Sequence, residues 1–152
     1  MSKAAFITEN TELDLAEMKR AGFRSVVLPE YPSEEELAKV ARLLQVTSLE
    51  CWAQEFGNEP EQFGPANLRQ SLIWTYERSY TNLLMKFGAR ELYIWAPEAH
   101  EYMVIFGDPS LVKDVVESRI FELDFDEYLQ SGALSPATVE FLRDIRSRYT
   151  IA

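Results

Sequence analysis

Residues 91–106 read ELYIWAPEAHEYMVIF, and this stretch decides the fold. Leu92-Tyr93-Ile94-Trp95 and Tyr102-Met103-Val104-Ile105-Phe106 are aromatic and aliphatic runs that suit a pleated surface. The polar connection Ala96-Pro97-Glu98-Ala99-His100-Glu101 joins them, so the pair predicts a hairpin. The second run is almost continuously apolar, which implies cover on both faces and a central place in the sheet. Gly107-Asp108-Pro109 then turns the chain into a helix. Asp108 is suited to cap it, Pro109 to begin it, and Leu111, Val112, Val115 and Val116 to form its buried side.

Upstream, Asn67 to about Phe87 reads as one long helix stopped by Gly88. Its stripe is Leu68, Leu72, Tyr76, Tyr80, Leu83, Leu84 and Phe87. The cluster Ile73-Trp74-Thr75-Tyr76 has strand character as the alternative. Thr47 and Glu50 form a capping pair before Leu49, Trp52, Ala53 and Phe56, which fall at i, i+3, i+4 and i+7 and predict a helix ended by Gly57. Residues 57–66, with two Gly and two Pro, read as a loop. Ser33 and Glu36 form a further capping box, followed by Leu37, Val40, Ala41 and Leu44 at helical spacing. Phe23 to Leu28, closed by Pro29, is a short buried strand. Leu13 to Ala21 is helical with Gly22 as its left-handed stop, and Ala4 to Thr8 is a short strand.

Downstream, Phe121 to Asp126 alternates with period two, as an edge strand does. Asp124 and Glu127 alternatively cap a short helix through Leu129, ended by Gly132. Ser135 and Pro136 start a final helix with Val139, Leu142 and Ile145 inward and Phe141 beside them. Arg143, Arg146 and Arg148 favour the negative end of its dipole. Together these elements predict an α+β fold, with five or six helices around a small, mostly antiparallel sheet centred on the 91–106 hairpin. No repeat or long polar linker interrupts residues 1–152, which predicts a single compact domain.

The chain has 152 residues, 47% of them hydrophobic, enough for a core without a disulfide or metal staple. The single Cys51 cannot form an intramolecular bridge, so a reducing cytoplasm is the expected compartment. MSKAAFITEN has no apolar run of signal-peptide length, and no stretch nears the ~20 apolar residues of a membrane span. The net charge is −10, and residues 101–152 hold ten acids against five bases. That balance repels nucleic acid and anionic membrane surfaces and favours a cationic partner.

His100, between Glu98 and Glu101, begins a zincin-like pattern, but position 104 holds Val, and a solvent-exposed turn histidine accounts for it. Residues 4–46 run strand–helix–strand–helix and so resemble the front half of phosphatase-like domains. Those enzymes need Cys-x5-Arg, and six residues after Cys51 stands Gly57, so the resemblance fails there. In the first turn of the predicted helix Cys51 would be activated by the dipole; a buried, inert thiol is the simpler expectation. No glycine-rich phosphate loop or serine nucleophile elbow occurs. No catalytic residue, metal site or cofactor is assigned, and the chain points away from catalysis.

Two binding surfaces are expected instead. Glu117, Glu122, Asp124, Asp126 and Glu127 would steer and pair with Lys and Arg of a partner around Tyr128 or Trp95 as aromatic anchor. Their simpler explanation is a solvated edge that discourages strand pairing. Trp74, Tyr76, Tyr80, Tyr93, Trp95 and Tyr102 would line a ligand pocket if the long helix lies across the hairpin; ordinary core packing is the competing account. The leading expectation is thus a small acidic cytoplasmic module that binds a basic protein. This profile is similar in type to bacterial immunity proteins and inhibitors of cationic toxins, with no motif that identifies a family. A small-molecule binder or enzyme using the aromatic pocket is the alternative, and a structural homodimer the third.

Overall fold

The computed structural model describes residues 6–8, 12–55, 57–99, 101–122 and 125–152. The element order is α1 (Leu15–Arg20), β1 (Arg24–Pro29), α2 (Glu34–Leu43), β2 (Ser48–Gln54), β3 (Glu61–Asn67) and α3 (Leu68–Glu77). Then come β4 (Asn82–Phe87), β5 (Leu92–Ala96), β6 (Tyr102–Gly107), α4 (Pro109–Glu117), α5 (Phe125–Gln130) and α6 (Pro136–Tyr149). The six strands form one sheet in the order β1-β6-β5-β4-β2-β3, antiparallel at every pairing. The protein is therefore α+β, and the sheet is larger than the hairpin-centred one expected. The β5–β6 hairpin is as predicted, with Tyr93 opposite Phe106 and Trp95 opposite Val104.

Period-two alternation distributes the strand side chains between two helical layers. Cys51, Met85, Ile94, Ile105 and Val26 form a cross-strand row on a first face, beneath α2, α3 and α4. Trp52, Leu84, Trp95, Val104 and Val27 form the corresponding row on the second face, beneath α1, α5 and α6. Cover on both faces explains why β5 and β6 are apolar at every position. Each fully buried Leu, Ile or Phe there contributes ~1.5–3 kcal/mol of transfer free energy.

The helix starts follow their local signals. Ser33 accepts from the Glu36 N–H at 3.1 Å, and Glu36 accepts from the Ser33 N–H at 2.8 Å. Asp108 caps α4 ahead of Pro109, and Ser135 caps α6 ahead of Pro136. Beyond α6, Ile151 exchanges backbone hydrogen bonds with Ser25, so the C-terminal residues protect the β1 edge.

Four expectations are corrected. The predicted helix after Thr47 is strand β2, flanked by β3 and β4. Its residues Leu49, Cys51 and Ala53 share the first face, so sheet pairing overrides the helical spacing of Leu49, Trp52 and Ala53. The predicted loop 57–66 contributes most of edge strand β3. The long helix over 67–87 is two elements. α3 ends at Glu77, the Thr81 hydroxyl donates to the Arg78 carbonyl, and Leu83, Met85 and Phe87 then alternate with the other face as β4. Phe125 and Asp126 begin helix α5 rather than continuing an edge strand; Leu123 and Asp124 lie outside the described residues, as do Ala4 and Ala5 of the first expected strand.

Candidate functional site

Between β1 and α2 the chain runs Glu30-Tyr31-Pro32-Ser33. Glu30 adopts φ 65°, and its N–H donates to the Glu101 carbonyl at 3.2 Å. This reversal lays Tyr31 against the first face and starts α2 at Ser33. A left-handed conformation costs an ordinary L-residue ~1–2 kcal/mol. Phe6, Gln45 and Arg119 also have positive φ; Gln45 and Arg119 each directly follow a helix cap, where the conformation is a usual terminator, whereas Phe6 lies outside any helix end. Glu30 also lacks a helix-end setting.

Tyr31 separates two concavities. One is a cleft of about 280 Å³ whose walls include Leu28, Pro29, Tyr31, Met103, Ile120 and Phe121. Glu30, Glu35, Glu36 and Glu122 also line it. Lys39 is the only cation among its described lining residues and lies 3.5 Å from Glu35. Glu36 is engaged by the capping box, whereas neither Glu30 nor Glu122 has an ion-pair partner among the described residues. The cleft thus brings carboxylates together with apolar side chains, a combination that accepts a cation with a hydrocarbon stem. The other concavity is a half-open cavity of about 450 Å³ between α2, α3 and β4, lined mainly by apolar side chains. Burial pushes the Tyr31 hydroxyl up to about 12, so the shared wall stays neutral at physiological pH.

The residues expected to bind a partner do not form one patch. Glu122 lines the acidic cleft, and Glu117 is exposed at the end of α4. The chain then crosses from the α4 layer to the α5 layer on the opposite face. Asp126 is engaged with Arg146 at 2.6 Å, Glu127 is exposed on α5, and Tyr128 packs against the second-face core. Asp124 lies outside the described residues.

The six aromatic residues are likewise divided by the sheet. Trp74 stacks on Phe63 with ring centroids 5.4 Å apart and carries the Arg78 guanidinium 4.1 Å above its ring. Tyr76 on α3 and Tyr80 in the turn after it are exposed. Tyr93, Trp95 and Tyr102 are buried on the second face, Tyr93 stacked on Phe106 at 5.0 Å and Trp95 edge-on to Tyr102 and Tyr149. Of the six, only Tyr76 lines the 450 Å³ cavity. Insertion of β4 between α3 and the hairpin removes the helix-over-hairpin arrangement on which a common pocket depended.

Tyr31 and Glu30 were not singled out by the sequence, and Leu37 and Leu72 were read only as members of apolar helix faces. The available signal was the run EYPSEEE at 30–36, with four acids around one tyrosine between a strand and a capped helix, read only for its capping box. Cys51 lies in β2 rather than at a helix start. Burial, with the Glu50 charge as the lesser cause, pushes its thiol up to about 12. His100 is outside the described residues, among which no group of three His, Cys, Asp or Glu side chains is placed to hold a metal. No described helix is long and apolar enough to cross a membrane. Comparison with family models, with curated proteins and with solved structures finds no match for this chain.

Proposed function

We propose that this chain is a binding module for a basic protein, receiving a Lys- or Arg-bearing segment in the carboxylate-rimmed cleft over Tyr31. The observation that carries the reading is that Glu30 and Glu122 have no ion-pair partner among the described residues and stand beside apolar side chains, in a molecule of net charge −10. Diffuse negative charge accelerates the encounter, and the two carboxylates pair with the cation where these side chains exclude water. The conformation of Glu30 supports the same reading, because strain at a position that is neither a helix terminus nor a glycine is a pointer to function. In this role the protein would act in the cytoplasm, holding or neutralising its partner in the manner of immunity-type proteins. The 117–127 segment then contributes through Glu122, with Ile120 and Phe121 in the lining.

Affinity capture from the cells that make the protein tests this, comparing the wild type, E30Q/E122Q and E140Q/D144N. The last variant removes equal charge from exposed positions on α6. A basic protein retained by the wild type and the α6 variant, lost by the cleft variant and weakened by salt is the expected result. Equal capture by all three, or capture insensitive to salt, removes the cleft from the interaction.

A further inference from the structure

We infer that the half-open cavity beside the cleft is an anchor pocket for a large apolar side chain, aromatic or leucine-like, that the basic partner segment carries close to its cation. This rests on the reading of the cleft as a basic partner's site and supplies the second half of its recognition chemistry. The cavity volume, about 450 Å³, falls within the ~300–1,000 Å³ of pockets that enclose a ligand. Leu37 from α2, Leu72 from α3, and Leu83 and Met85 from β4 line it. The Thr75 hydroxyl, also in the lining, already donates to the Leu72 carbonyl at 3.0 Å. An apolar occupant therefore covers hydrocarbon without taking that donor from its partner.

Charge selects the occupant. Glu34 is the only charged residue among the described residues lining the cavity, and Glu30, Glu35, Glu36 and Glu122 line the cleft on the other side of Tyr31. A second copy would bring another −10 against this rim, whereas an apolar residue flanked by Lys or Arg is complementary to it. Tyr31 lines both concavities, so one segment crossing the first turn of α2 fills both. On α3, Tyr76 at the cavity is 72% exposed and Ile73, three residues before it, is 50% exposed, while Tyr80 in the turn after the helix is 62% exposed. Such accessible apolar area is what a docked segment would cover, and tyrosine is enriched among residues that dominate binding.

The test is selection of a random-peptide display library on the folded full chain at low salt, followed by methyl NMR with the enriched peptides. Enriched sequences should place an aromatic, Leu or Met within a few residues of Lys or Arg, and should move the Met85 methyl resonance. Alanine at the apolar peptide position should weaken binding about tenfold and abolish that shift, as should Tyr76→Ala at its exposed site. Basic peptides with no apolar preference and an unmoved Met85 overturn the anchor pocket while leaving the cleft reading intact. Enrichment without Lys or Arg sinks the cleft reading and the anchor with it. An equal Met85 shift with phenylethylamine alone would make the cavity a small-amine site. A shift on merely concentrating the protein would make it a self-contact. Either result overturns the proposal.

Discussion

Arg146 on α6 donates to Asp126 on α5 at 2.6 Å, and its guanidinium carbon lies 4.8 Å from the centre of the Phe125 ring. One cation thus neutralises a carboxylate in the acidic segment and ties two second-face helices together. Both side chains remain partly in water, which limits the pair to about 0.2–1 kcal/mol. D126N should therefore lower unfolding free energy by less than about 1 kcal/mol in urea titration. It should leave capture of a basic partner at the wild-type level, while E122Q reduces it. A D126N defect as large as that of E122Q would return α5 to the interface.

Glu30 makes a separable prediction. Asparagine tolerates the left-handed region better than glutamate, so E30N relieves part of a ~1–2 kcal/mol strain and removes a carboxylate from the cleft. Stability should rise by up to about 1 kcal/mol while basic-partner binding falls, the trade-off expected where strain serves function. Denaturant midpoints and calorimetric affinities measured on the same preparation check both halves. A variant that is less stable and binds normally would show that Glu30 is held there for structure alone.

Gly107 ends β6 at φ 147°, where a Cβ would overlap the Glu91 carbonyl oxygen and lie 2.9 Å from its carbon. That carbonyl accepts from the Asp108 N–H at 2.8 Å, so the close approach joins the hairpin to the start of α4. Gly22 also has positive φ, but nothing stands within 4 Å of its would-be Cβ. G22A should cost about 1–2 kcal/mol, the conformational penalty alone. G107A adds a backbone clash that no side-chain rotation relieves and should cost more than about 3 kcal/mol. Equal losses in thermal or urea unfolding would show that the β6–α4 junction shifts to make room.

The parts of the fold legible in sequence are those whose partners are close in sequence. Ser33 with Glu36, Asp108 with Pro109 and Ser135 with Pro136 mark helix starts because a cap and its N–H are a few residues apart. In β2, Leu49, Trp52 and Ala53 satisfy a helical period while Leu49, Cys51 and Ala53 satisfy an extended one. Pairing with Met85 and Leu84 on β4 decides between them, and no local residue encodes that pairing. The break between α3 and β4 has neither Gly nor Pro, only a threonine hydroxyl turned back onto Arg78. The cleft was harder still, since Tyr31, Met103 and Glu122 meet only after the sheet forms.

The buried acids of the first face set the alkaline limit of stability. Burial, and secondarily Glu50, pushes Cys51 from 9.0 to about 12, and burial pushes Tyr31 from 10.0 to about 12. On the opposite face burial, with Glu91 and Glu50 adding to it, pushes Tyr93 from 10.0 to about 12. Each group loses its proton more readily when unfolded, so above about pH 9 the unfolded state binds fewer protons than the native one. Their contribution is complete below that value and is lost progressively as pH rises through about 12. Urea midpoints should be insensitive to these groups near neutrality and fall steeply across the alkaline window. At neutral pH, alkylation of Cys51 should follow the free energy of opening as urea is added, since the protonated thiol is fully enclosed between the sheet and its helices. Rapid labelling of the native protein, together with a flat alkaline profile, would show that β2 opens to solvent without unfolding the sheet.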